Sequence, residues 1–219
     1  WGDPDFARDF IRALPGREQL AGYYMGPDGY TWGREFISTE PESPRQLVIQ
    51  KQWFSFLLWG RLSYDPTLSN EHFKQVLAAR FPDVDGRQLF DALQAASRII
   101  PLVTRFHWEN LDFQWFPEAC ISHRRRYKGF HTVEHFINGP TMEESGLMTI
   151  KKYCGAVRND KPLTGTTPVQ VAEELRALAD TALSAIAPLT PGNNKELRLQ
   201  LGDIEIGRAS CRERVCHRV

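Results

Sequence analysis

Apolar spacing divides the chain into a short mixed front and a long helical remainder. Across residues 3–14 (DPDFARDFIRAL), Phe6, Phe10, Ile11 and Leu14 recur at helical spacing. Asp3 fits the N-cap and Pro4 the first helical position, while Pro15-Gly16 stops the helix. Residues 19–25 form a short apolar run bounded by turn residues, which predicts a buried strand. A helix, a tight turn and a strand in that order predict an α/β repeat. Residues 38–44 are polar and proline-containing and read as a linker.

Beyond the linker the spacing is helical. Residues 45–64 predict a long helix in which Trp53, Phe54, Phe56, Leu57, Leu58 and Trp59 cover too much circumference for a one-sided surface helix. Asp65-Pro66 ends it, and Ser69 caps a second helix running to about Phe81. Residues 85–106 predict a third, with Leu89, Phe90, Leu93, Ala96 and Ile100 on one side and Pro101 as a kink or break. Residues 107–165 are less regular and rich in aromatics. Residues 167–189 give the clearest amphipathic helix, through Val171, Leu175, Leu178, Ala182 and Ile186, and residues 193–205 begin another. No internal repeat interrupts this order.

Composition alters the picture at the C-terminus. Residues 206–215 (IGRASCRERV) read like a translated sequencing adapter, so residues 206–219 are expected to be an artefact tail. The plain alternative is a genuine basic tail. Setting the tail aside removes Arg208, Arg212, Arg214 and Arg218 against Glu213, so 27 basic and 27 acidic residues become 23 and 26. Neither balance points to nucleic acid or an anionic membrane, which call for clustered positive charge. Only Cys120 and Cys154 then remain of four cysteines, with no CxxC, so the redox compartment stays open. No run approaches the roughly 18 apolar residues of a membrane span.

Residues 53–81 (WFSFLLWGRLSYDPTLSNEHFKQVLAARF) carry a resemblance to a known family. Trp53, Phe56, Gly60-Arg61-Leu62, Tyr64, Asp65-Pro66, Leu68-Ser69 and Phe81 resemble the run that follows the barrel in family 67 glycoside hydrolases, the α-glucuronidases. This chain has two extra residues before Gly60. In the opening stretch GYYMGPDGYTWGREF, Gly26, Asp28, Trp32 and Gly33 resemble the loop after that family's last barrel strand, with Trp32 one place out of step. The resemblance implies a mixed fold. Residues 1–43 would be the terminal β/α part of a (β/α)8 barrel, and residues 44–205 a mostly α-helical domain packed on it. It implies a fragment of a carbohydrate-active enzyme hydrolysing glycosidic bonds in polysaccharide-derived oligosaccharides, uronic-acid-containing ones among them. No cofactor is implied, and a secreted or periplasmic location is favoured.

In a barrel, the loop after a strand lies at the catalytic face. On that reading Tyr30 and Trp32 offer flat faces to a sugar ring, and Asp28 and Glu35 accept hydroxyl hydrogen bonds. Arg34 could hold a uronic carboxylate in a bidentate pair. The bland alternative is a Gly/Pro turn whose aromatics pack on the next helix and whose Arg34 and Glu35 pair locally. Hydrolysis needs two carboxyl groups about 5–10 Å apart. In the resembled family these come from earlier strands, so the fragment is expected to be inactive alone. His107-Trp108-Glu109, with Asp112 and Trp115, is a second candidate rim, or else core and interface.

Two other classes compete. His131, Glu134 and His135 form H-x-x-E-H, the inverted zinc-protease motif, in which a helix aligns both histidines and the glutamate activates water. The plain counter-reading is an amphipathic helix burying Val133, Phe136 and Ile137. The other class is a non-catalytic helical interaction module, a homodimerisation surface included.

Overall fold

The computed structural model describes residues 2–14, 22–23, 50, 52–108 and 133–214, the side chains of residues 135 and 206–214 excepted. Its elements are α1 (Pro4–Ala13), α2 (Trp53–Tyr64), α3 (Asn70–Arg80), α4 (Gly86–Phe106), α5 (Val133–Asn138), α6 (Ile150–Arg158), α7 (Pro168–Ile186) and α8 (Lys195–Arg214). Among the described residues there is no strand or sheet. The one ladder-like pairing among the described residues is an isolated parallel bridge, Leu147 with Thr166, which ties the approach to α6 against the start of α7. No helix among these residues is long and apolar enough to cross a membrane.

The expected barrel remnant is therefore corrected: the described fold is helical. The helix over residues 3–14 does form, but it does not flank a sheet. Ala7 and Ile11 of α1 enter the same core as Phe54, Leu58 and Leu62 of α2 and Phe73 and Leu77 of α3. An apolar run as short as residues 19–25 does not distinguish a buried strand from other buried backbone. Only Gly22 and Tyr23 of that run are described, and neither is in a strand.

α4 is the shared wall of two apolar clusters. Toward α3, Leu89 and Phe90 join Phe73, Leu77 and Phe81. Farther along, Ile99 and Leu102 meet Val171, Leu175 and Ala179 of α7. α7 then passes Ala182 and Ile186 to α8, where Leu197, Leu201 and Ile204 are buried. Pro101 sits inside α4 and does not end it. The missing N–H costs one ladder bond, but flanking burial of Ile99 and Leu102 holds the helix through Phe106.

Caps explain where the helices start. Asp85 accepts from Arg87 N (2.8 Å) at the head of α4. Thr167 and Gln170 form a reciprocal capping box on α7: Gln170 N donates to Thr167 Oγ1 (3.2 Å) and Thr167 N to Gln170 Oε1 (2.8 Å). Ser69 occupies the N-cap of α3, but its side chain makes no capping bond. Between α3 and α8, Arg80 pairs with Glu196 (2.7 Å) and lies over the Trp53 ring.

Gly86 permits the close approach of α3 and α4. A Cβ there would stand 2.6 Å from Ala78 N and 2.8 Å from its Cα, both backbone atoms that cannot rotate away. Gly202 in α8 is the opposite case, with no atom within 4 Å of such a Cβ. Gly86→Ala is expected to destabilise the fold by about 2 kcal/mol through overpacking, despite alanine's better helix propensity. Gly202→Ala should stabilise it by up to ~1 kcal/mol. Chemical denaturation of both variants checks the pair, and equal signs would contradict the packing described.

Candidate functional site

The expected sugar-facing residues Asp28, Tyr30, Trp32, Arg34 and Glu35 lie outside the described residues, as do Glu109, Asp112 and Trp115. Their described neighbour in the chain is Tyr23, which sits on an aromatic face built by α1 and α2. Phe6, Phe10 and Tyr23 each set their rings edge-on to Trp59, with centroids 6.2, 5.5 and 6.3 Å away. Trp59 is buried, whereas Phe6 and Phe10 remain 39% and 42% exposed. The Tyr23 hydroxyl hydrogen-bonds Ser63 Oγ, which also donates to the Trp59 carbonyl. Rings fixed in this way present apolar surface without having to be ordered first.

This outcome turns the expected face of α1 in part. Of the apolar positions at helical spacing, Ile11 is buried and Leu14 half-buried, but Phe6 and Phe10 stay exposed while Pro4, Ala7 and Arg8 are buried. The cause is polar. Asp3, 3% exposed, accepts from Asp5 N (3.1 Å) as N-cap and from Arg98 Nε on α4 (2.7 Å). Gln94 Nε2 reaches Asp3 Oδ1 (3.0 Å) and Asp5 Oδ2 (2.8 Å), and Arg98 also pairs with Asp5 (3.0 Å). Gly2 N donates to Ser97 Oγ (2.7 Å). Arg8 bridges Asp5 (2.8 Å) and the Leu68 carbonyl. Hydrogen bonds donated to Asp3 raise the pKa of the Arg98 guanidinium above its ordinary value, against the opposing effect of burial. Every carboxylate oxygen of Asp3 and Asp5 is engaged within the protein, so the pair anchors α1.

The second expected rim divides in two. His107 follows α4 as its C-cap, with N–H donating to the Val103 carbonyl (3.0 Å). Its ring is 3% exposed and lies 4.7 Å from that of Phe136 on α5, an interior position. Trp108 is half-buried and tied through its N–H to the Pro140 carbonyl (2.9 Å). The structure thus uses His107 to seat α5 on the end of α4. Of the zinc-motif residues, Glu134 is exposed on α5. His131 and the side chain of His135 fall outside the described set. Among the described residues no cluster of three His, Cys, Asp or Glu is placed to hold a metal.

Sequence reading missed both the α1 latch and the aromatic face. The signal available for the latch was Asp3 and Asp5 in the first turn of α1, together with Gln94 and Arg98 four residues apart on α4.

Fold and face together define a helical bundle with an exposed aromatic surface at its α1–α2 side. No family model matches the chain, and no curated protein matches it. Among solved structures, it is similar to part of a GH138 enzyme targeting pectin rhamnogalacturonan II. The TM-score is 0.68 at 15% identity, and the match covers 96% of this chain and 26% of that one. The chain therefore spans about a quarter of that enzyme's length, and its fold is one that a glycoside hydrolase contains.

The latch is open to test. Arg98→Met leaves the Asp3 carboxylate buried without its guanidinium and should destabilise the protein by about 2 kcal/mol. Adding Asp3→Asn should recover part of that loss. A double-mutant cycle by denaturant unfolding measures the coupling, and additive losses would contradict the latch.

Proposed function

We propose that this chain is the helical part of a carbohydrate-active enzyme that hydrolyses glycosidic bonds in polysaccharide-derived oligosaccharides. The observation that carries the proposal is the likeness of nearly the whole chain to about a quarter of a GH138 enzyme. Support of a second kind comes from the family 67-like run. Trp53, Gly60-Arg61-Leu62, Asp65-Pro66 and Ser69 occupy α2, the turn after it and the cap of α3. In that turn Asp65 accepts from Thr67 N (2.9 Å) and Thr67 Oγ1 (2.6 Å), bonds that hold its carboxyl below its ordinary pKa. That run therefore has a defined structural job.

On this reading Asp28, Tyr30, Trp32, Arg34 and Glu35 contact an oligosaccharide, with Trp108 at a second edge and His107 behind it. Arg34 would give preference for uronic-acid-bearing sugars through a bidentate pair with the carboxylate. The two carboxyl groups that carry out hydrolysis are assigned to another part of the longer enzyme.

The test uses that longer enzyme. Asp28→Ala or Trp32→Ala should lower kcat/KM on its oligosaccharide substrate about tenfold or more, with the folded state intact by circular dichroism. Unchanged turnover in both variants would remove the contact assignment. Absence of glycosidase activity in the unmutated longer enzyme, across neutral and uronic oligosaccharides, would remove the functional reading itself.

A further inference from the structure

The hairpin of α7 and α8 holds a cleft of ≈560 Å³, far from the aromatic face in sequence and built from different chemistry. Its volume lies in the range of small-molecule sites, roughly 300–1,000 Å³. The lining combines half-buried aliphatic side chains, Leu183 from α7 and Leu189 from the turn, with Ile186 of α7 and Leu201 of α8, core residues that remain only 6% and 7% exposed. No aromatic ring lines it, so it lacks the flat face on which a sugar ring stacks. An aliphatic lining of this kind suits a hydrocarbon tail.

Gly202 supplies the space. Glycine is a poor helix residue, and here no neighbour requires it, since a Cβ would meet nothing within 4 Å. Its place on the cleft wall makes the hollow wider than any other residue would. At one end of the cleft stands Arg198, in the first turn of α8. One Nη of its guanidinium donates to the Gly192 carbonyl (2.9 Å), which fixes the group while its other donors remain exposed. The start of a helix also favours negative charge through the aligned peptide dipoles. Glu205 lines the cleft seven residues later, roughly 10 Å along the helix axis. An anionic head is thus attracted at the Arg198 end and repelled at the other.

We propose that the α7–α8 cleft binds a small apolar carboxylate, with its tail on Leu183, Leu189 and Gly202 and its head on Arg198. The inference does not depend on the carbohydrate reading.

The probe is decanoate below its aggregation concentration, with decanol as the uncharged control, followed by methyl-resolved NMR on the 219-residue chain. Decanoate should shift the methyl signals of Leu183 and Leu189 before others. Arg198→Gln should weaken decanoate about tenfold while leaving decanol unchanged, the effect of losing one charge-assisted hydrogen bond. Gly202→Leu fills the hollow and should abolish both responses. If Gly202→Leu does not fold, the decanoate and decanol comparison in Arg198→Gln decides alone. Decanoate that leaves these methyls unmoved, or binds Arg198→Gln as tightly as the parent, overturns the proposal.

Discussion

Burial of α4 on more than one side is the constraint from which the other helices take their places. Leu89 and Phe90 face α3, Ile99 and Leu102 face α7, and Gln94, Ser97 and Arg98 receive the N-terminus of α1. Such a helix cannot be large-residue throughout. Ala92 and Ala95 are buried where neighbours come close, and Gly86 admits the backbone of α3. The apolar clusters on either side of α4 therefore do not behave as separate cores; each holds the helix that the other needs.

That constraint explains what could be read from sequence. α7 contacts the bundle along one stripe, so Val171, Leu175, Ala182 and Ile186 stood out by period alone, and Thr167 marked its start. α4 was harder. A one-sided reading chose Leu89 and Phe90, which are buried, with Leu93, Ala96 and Ile100, which are half-buried, and passed over Ala92, Ala95 and Ile99, which are buried. Pro101 read as a kink or break because its local cost is visible in sequence and the tertiary contacts that offset it are not. At α1 the apolar spacing included Ile11, which is buried, but Asp3 and Arg98 hold the helix so that Ala7 goes in beside it and Phe6 and Phe10 stay exposed. A long-range ion pair between residues 3 and 98 leaves no periodic trace. The barrel expectation failed at the same place, since α1 was read with the strand-like run after it and not with the helices it joins.

Site chemistry was less legible than fold. The aromatic stretch at residues 22–36 was visible because it packs unusual residues into a short span of sequence, yet all its expected contact residues fall outside the described set. His107 drew notice beside Trp108 and Glu109, although its ring serves to seat Phe136. The α7–α8 cleft gave one faint sign, a glycine inside a helical pattern at position 202. What joins these observations is a helical unit presenting rigid apolar surface on one side and a polar-ended cleft on another. A glycoside hydrolase contains the same fold within a chain about four times as long as the matched part.

The central claim is that α1 is an integral part of the bundle organised by α4. Native-state hydrogen exchange of the α1 amides measures this directly, since exchange reports the free energy of the opening that exposes each group. The account predicts that the amides of Arg8–Ile11 exchange only with global unfolding, at the same free energy as those of Ile99, Ile100 and Leu102. Rapid exchange of α1 while α4 stays protected would contradict it.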